Sequence, residues 1–141
     1  MDNARCPFEK AILSAACGCE KSTRFSIAEQ MGVECISDLA RNNCAVLLAL
    51  MRERARFALK VTDTSVSLPF GKEMKTMIGG LVGLQRLVTA EEGNANTVRD
   101  IHALVNRAQA VYGSLASLPY QEIVQSITAF QNRRRGSMPK T

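Results

Sequence analysis

The residues most able to do chemistry in this chain are its five cysteines. All of them lie within the first 44 of 141 residues, at Cys6, Cys17, Cys19, Cys35 and Cys44. Cysteines that serve only as small core residues would be scattered along the chain, whereas metal ligands must converge on one point. The placement therefore predicts that residues 1–44 bind a thiolate-ligated metal centre.

Cys17 and Cys19 flank Gly18 in a turn that we expect to end the first helix. Turns of this kind present backbone N–H groups that stabilise thiolate charge and tune the potential of an iron–sulfur cluster. Cys35 is expected in a second loop and Cys44 in the first turns of a helix. The sequence thus predicts Cys17, Cys19, Cys35 and Cys44 as the metal ligands.

A four-ligand site leaves one cysteine over. Cys6 lies near the terminus, where chains are least ordered, and is the candidate for the spare. The adjacent Pro7 argues the other way, because a Cys-Pro pair is common beside iron–sulfur ligands. If Cys6 is a ligand, Cys44 becomes the expected core residue, since it shares a helix face with Leu47 and Leu48.

The spacing of the cysteines favours iron over zinc. Structural zinc sites are typically built from two Cys-x2–4-Cys pairs, and this chain has none. Irregular spacing is more typical of clusters whose ligands come from several loops, so we expect a 4Fe–4S cluster, with zinc as the alternative. Arg24 and Arg41 are close to the cysteines in sequence and would balance the negative charge of such a cluster.

Candidate catalytic side chains are few. His102 is the only histidine, and its place beside an apolar helix stripe predicts a surface imidazole rather than a general base. No catalytic triad and no carboxylate metal set is visible, so an enzyme is not predicted. The first hypothesis is a small iron–sulfur protein that transfers electrons or senses redox state for a larger protein partner.

Two other hypotheses remain open. The net charge of +5 is concentrated in a basic tail with Arg133, Arg134, Arg135 and Lys140, which usually is a solvated helix end. A zinc- or cluster-containing regulatory module could use that tail to bind nucleic acid or an acidic protein. The third hypothesis is a helical adaptor whose cysteines are structural thiols.

Helical periodicity dominates the rest of the chain and predicts an all-α fold. We expect one domain over residues 1–132, a bundle of five to six helices with the cysteine segment as an N-terminal cap, followed by a flexible tail over 133–141. The predicted helices are 7–17, 23–31 ended by Gly32, 38–61 capped by Ser37, 69–89, 98–113 capped by Thr97 with Asp100, and one after Pro119.

The predicted helix 70–89 carries three glycines, Gly79, Gly80 and Gly83. Each costs about 1 kcal/mol relative to alanine inside a helix, so a close approach of another backbone is expected there. That neighbour is either another helix of the same chain or a second copy, which would give a homodimer. The absence of a secretory pattern and of a long apolar run predicts a cytoplasmic protein with no membrane span.

Overall fold

The computed structural model describes residues 4–60, 69–89 and 97–130, and places a small hairpin beside a helical bundle. The elements in chain order are α1 (Glu9–Leu13), β1 (Ser22–Ile27), β2 (Gln30–Cys35), α2 (Asp38–Ala58), α3 (Phe70–Met74), a π-helical turn (Lys75–Gly79), α4 (Gly80–Val88), α5 (Ile101–Tyr112), a 3₁₀ turn (Leu115–Ser117) and α6 (Tyr120–Ala129). The predicted loops over 62–68 and 91–96, and the tail over 133–141, lie outside the described residues.

The all-α prediction is wrong, because residues 22–35 form a two-stranded antiparallel sheet that makes the fold mixed α/β. Ile27 pairs with Gln30, so only Ala28 and Glu29 connect the strands. Ala28 has a φ of 59°, the left-handed conformation that tight hairpin turns require. Asparagine and glycine usually occupy such turns. Because alanine is found there instead, the residue types did not predict a hairpin.

Gly32 does not end a helix, as the sequence suggested, but lies in β2 opposite Phe25. A Cβ atom on Gly32 would lie 2.2 Å from the Phe25 ring, so the ring can cover the strand only where the side chain is absent. The guanidinium of Arg5 lies over the same ring, 5.3 Å from its centroid. This stack holds the N-terminal segment against the hairpin.

Helix α2 is the central element of the bundle and begins where the sequence predicted. The Ser37 side chain caps it by accepting a hydrogen bond from the Ala40 N–H at 3.1 Å. Leu47 and Met51 are fully buried on its inner face, where they join α4 and α6 in one core. Each such side chain contributes about 1.5–3 kcal/mol through burial of its apolar surface.

Helices α3 and α4 and the π-helical turn between them run continuously from Phe70 to Val88. This agrees with the single helix predicted for residues 69–89. Gly79 faces α6 closely: a Cβ atom there would lie 3.0 Å from the Ile127 Cα and 2.9 Å from the Phe130 Cβ. The Ser126 hydroxyl also donates a 3.0 Å hydrogen bond to the Gly79 carbonyl. The chain's own α6 therefore covers Gly79 and Gly83, and Met51 of α2 covers Gly80, on the strip that suggested a homodimer.

Helix α5 begins at Ile101 with Asp100 as its N-cap, later than the expected start at residue 98 after Thr97. The late start results from a tertiary contact. The Val98 N–H donates to the Ala16 carbonyl at 3.1 Å, so Val98 is bound to the N-terminal segment and is not part of the helix. Within the described part of the chain, no helix is long and apolar enough to cross a membrane.

The close contact at Gly79 predicts a specific loss of stability. Gly79→Ala should lower the free energy of unfolding by about 1–3 kcal/mol, because the new methyl group meets backbone and Cβ atoms that cannot move aside. Urea unfolding followed by circular dichroism measures this change.

Gly71→Ala is the matched control, because a Cβ atom there has nothing within 4 Å. It should leave stability unchanged or raise it by up to about 1 kcal/mol, through the better helix propensity of alanine. Equal effects of the two substitutions would show that α6 does not pack tightly on Gly79.

Candidate metal centre

Four of the five cysteines converge on one region, although they come from four different segments. They are Cys6 before α1, Cys19 after the turn that follows α1, Cys35 at the end of β2, and Cys44 in α2. Negative charge on Cys19 or Cys35 would raise the pKa of Cys6, and negative charge on Cys6, Cys19 or Cys35 would raise that of Cys44. The four thiols therefore lie within electrostatic reach of one another. Spacing in the sequence gave no sign of which four would meet.

Cys6 reaches the group because its segment runs beside β2. Its N–H donates to the Val33 carbonyl at 2.9 Å, and Arg5 pairs with Glu34 in the same arrangement. The Glu9 carboxylate reinforces the contact by accepting the Val33 N–H at 3.0 Å. These bonds bring Cys6 to the strand that ends at Cys35.

Cys19 is held by the start of α5. The Gly18 N–H donates to the Val98 carbonyl at 2.9 Å, and the Ile101 N–H donates to the Gly18 carbonyl at 2.8 Å. A Cβ atom on Gly18 would lie 2.9 Å from the Arg99 carbonyl oxygen, so glycine permits this close approach. The Cys19 sulfur then accepts hydrogen bonds from backbone N–H groups, including that of His102 in the first turn of α5.

Side chains also contribute to the contact between the cysteine turn and the start of α5. The Glu20 N–H donates to the Asp100 Oδ1 at 3.0 Å, and the Glu20 carboxylate lies 2.9 Å from the His102 Nδ1. The His102 Nε2 lies 3.3 Å from the Asn106 amide nitrogen. His102 thus connects α5 to the cysteine turn with its side chain as well as its backbone.

Cys35 and Cys44 complete the group from the side of α2. The Cys35 thiol donates to the Ser37 carbonyl at 3.3 Å, and Cys44 is buried. Arg41 donates from Nη1 to the Cys35 carbonyl at 3.0 Å, and its guanidinium also forms an ion pair with Asp38. Arg24 instead donates to the Ile12 carbonyl at the end of α1.

Cys17, one of the predicted ligands, is not brought into this group. It is buried, pairs with Val98 and shows no charge coupling to the other cysteines. Cys6, the predicted spare, occupies the place that the sequence assigned to Cys17. The predicted set shares Cys19, Cys35 and Cys44 with the observed group.

Burial keeps the thiols of Cys6, Cys19 and Cys44 protonated at neutral pH. It raises the pKa of Cys6 to about 11 and that of Cys44 to about 12, and the neighbouring cysteines add to both shifts. Burial also raises the pKa of Cys19, against the opposing effect of its backbone hydrogen bonds. A metal centre would have to displace these protons, so its formation would release acid.

The arrangement differs from that of a site for one metal ion. Within the described ranges, no three side chains of histidine, cysteine, aspartate or glutamate form a group that could hold a metal ion. The four thiols are therefore near enough for their charges to interact but are not gathered around one point at bonding distance.

Thiol reactivity should follow this geometry. Cys19 is the only cysteine that is not buried, so iodoacetamide near pH 8 should alkylate it first in the reduced, metal-free protein. Cys6, Cys17 and Cys44 should react at least tenfold more slowly, because burial and a raised pKa both limit thiolate attack. Peptide mass spectrometry against time measures the order, with urea-unfolded protein as control; equal native rates would contradict the described burial.

Comparisons of this chain with protein-family models, with curated proteins and with solved structures returned no match. The function must therefore be argued from the site itself.

Proposed function

We propose that this protein binds a 4Fe–4S cluster through Cys6, Cys19, Cys35 and Cys44 and passes electrons to, or senses redox state for, a larger protein partner. The observation that carries the proposal is the convergence of these four thiols from four segments of the chain. In this set Cys6 replaces Cys17, the ligand expected from the sequence.

The irregular spacing of the cysteines along the chain favours a cluster over zinc. Four thiolates on one zinc ion each lie about 2.3 Å from the metal, so their sulfur atoms almost touch. A cuboidal cluster places an iron atom between each thiolate and the centre, which spreads the four sulfur atoms apart. Four thiols supplied by four separate segments of the chain suit the second, wider arrangement.

The surroundings also suit a negatively charged cluster. Backbone N–H groups that point at sulfur stabilise the reduced state, and Cys6 and Cys19 each accept such bonds. The Arg41 guanidinium adds a positive charge beside Cys35. Because Cys19 is the only ligand that is not buried, the edge of the site near Cys19 is the shortest route for an electron to a partner.

The ligand set can be tested by metal analysis. Protein purified without oxygen from iron-replete cells should contain about four iron atoms and four sulfide ions per chain, the composition of a 4Fe–4S cluster. Single substitutions of Cys6, Cys19, Cys35 or Cys44 by serine should reduce the iron content at least several-fold. Cys17→Ser is the matched control and should retain the iron.

Two results would contradict the proposal. Wild-type protein that contains zinc alone, or no metal, would leave the zinc module or the adaptor with structural thiols as the explanation. Loss of iron in Cys17→Ser together with full iron in Cys6→Ser would restore the ligand set expected from the sequence.

A second test concerns the electrostatics of the cluster. Arg41→Met should lower the reduction potential by the equivalent of about 1 kcal/mol per electron, since a positive charge nearby stabilises the reduced cluster. Arg24→Met should shift it less, because that guanidinium is bound at the Ile12 carbonyl. Anaerobic voltammetry measures the reduction potential of both variants. A larger shift in Arg24→Met than in Arg41→Met would show that the cluster does not lie near Cys35.

A further inference from the structure

A groove of about 340 Å³ lies between the end of α4 and the first two turns of α5, outside the cysteine group. Gln85 and Thr89 line it from one side, and the residues of α5 and its N-cap lie along the other. Its α5 side is a single helix face, formed by Asp100, Ala103, Leu104 and Arg107 at three- and four-residue spacing. Grooves of this size accept small organic ligands.

Arg107 is held ready to bind an anion. Its Nε donates a 2.7 Å hydrogen bond to the carbonyl of Val88, the last residue of α4. That bond sets the plane of the guanidinium, while its two Nη groups make no hydrogen bond with the described residues. A planar fork with two parallel N–H donors matches a carboxylate.

The remaining residues that line the groove also limit which ligands it can bind. Arg99, Arg107 and Asp100 are the charged residues of the lining. Asp100 uses Oδ1 to accept the Glu20 N–H, and its Oδ2 has no hydrogen bond among the described residues. Ala103 and Leu104 supply apolar surface between the arginine and the aspartate.

We propose that this groove binds a small hydroxy carboxylic acid as a monoanion. The carboxylate pairs with the Arg107 fork, the carbon chain lies on Ala103 and Leu104, and the hydroxyl donates to the free oxygen of Asp100. Asp100 also binds the cysteine turn through Oδ1, but ligand binding and iron content are separate measurements, so failure of either proposal leaves the other untouched.

The test uses nuclear magnetic resonance titration of the full-length protein with three probes of similar size. We expect 3-hydroxybutyrate to give saturable shifts of the Gln85, Ala103 and Arg107 amides, with a Kd on the order of 1 mM, as for a fragment-sized ligand. Butyrate, which lacks the hydroxyl, should bind several-fold more weakly, and the neutral butyramide should cause no saturable shift.

Matched variants separate this site from general attraction to a basic protein. Arg107→Gln should weaken 3-hydroxybutyrate at least tenfold, and Arg107→Lys should also weaken it, because lysine keeps the charge but loses the fork. Arg86→Gln, on the exposed side of α4 outside the groove, should bind like the wild type. Absence of saturable shifts in the wild type, equal weakening by Arg86→Gln, or preference for methyl phosphate over 3-hydroxybutyrate would each overturn the proposal.

Discussion

The arrangement of the cysteines depends on the contact between the turn after α1 and the start of α5. This contact joins residues about 80 positions apart, through the Glu20 N–H on Asp100 and the two backbone bonds of Gly18. The first N–H groups of a helix need partners from outside the helix, and here the cysteine turn supplies them. This contact fixes Cys19 from the side of α5, while Ser22, which pairs with Cys35 in the hairpin, donates two hydrogen bonds to the Cys19 carbonyl from the other side.

The same contact decides which cysteine becomes available as a ligand. Once the turn is bound to α5, Cys17 lies against Val98, and Cys19 lies within electrostatic reach of Cys35. The hairpin in turn holds the segment before α1, so that Cys6 lies near the end of β2. The proposed ligand set therefore results from two tertiary contacts rather than from a local sequence motif.

Local signals in the sequence predicted much of the bundle. Ser37 caps α2 as expected, and the apolar stripe with Leu47 and Met51 is buried. The hairpin was missed because Phe25 and Ile27 fit either a short helix or a strand, while Ala28 carries a turn that glycine or asparagine usually makes. The exchange of Cys17 for Cys6 could not be predicted, since it depends on contacts with Val98 and Val33.

The central claim is that four convergent thiols hold a multi-iron cluster rather than one ion. X-ray absorption at the iron edge, on wild-type protein isolated without oxygen, tests it most directly because it reports the atoms around each metal. The account predicts four sulfur neighbours per iron and a second shell of neighbouring iron atoms. A zinc edge with four sulfur neighbours and no metal–metal shell, or no bound metal, would contradict it.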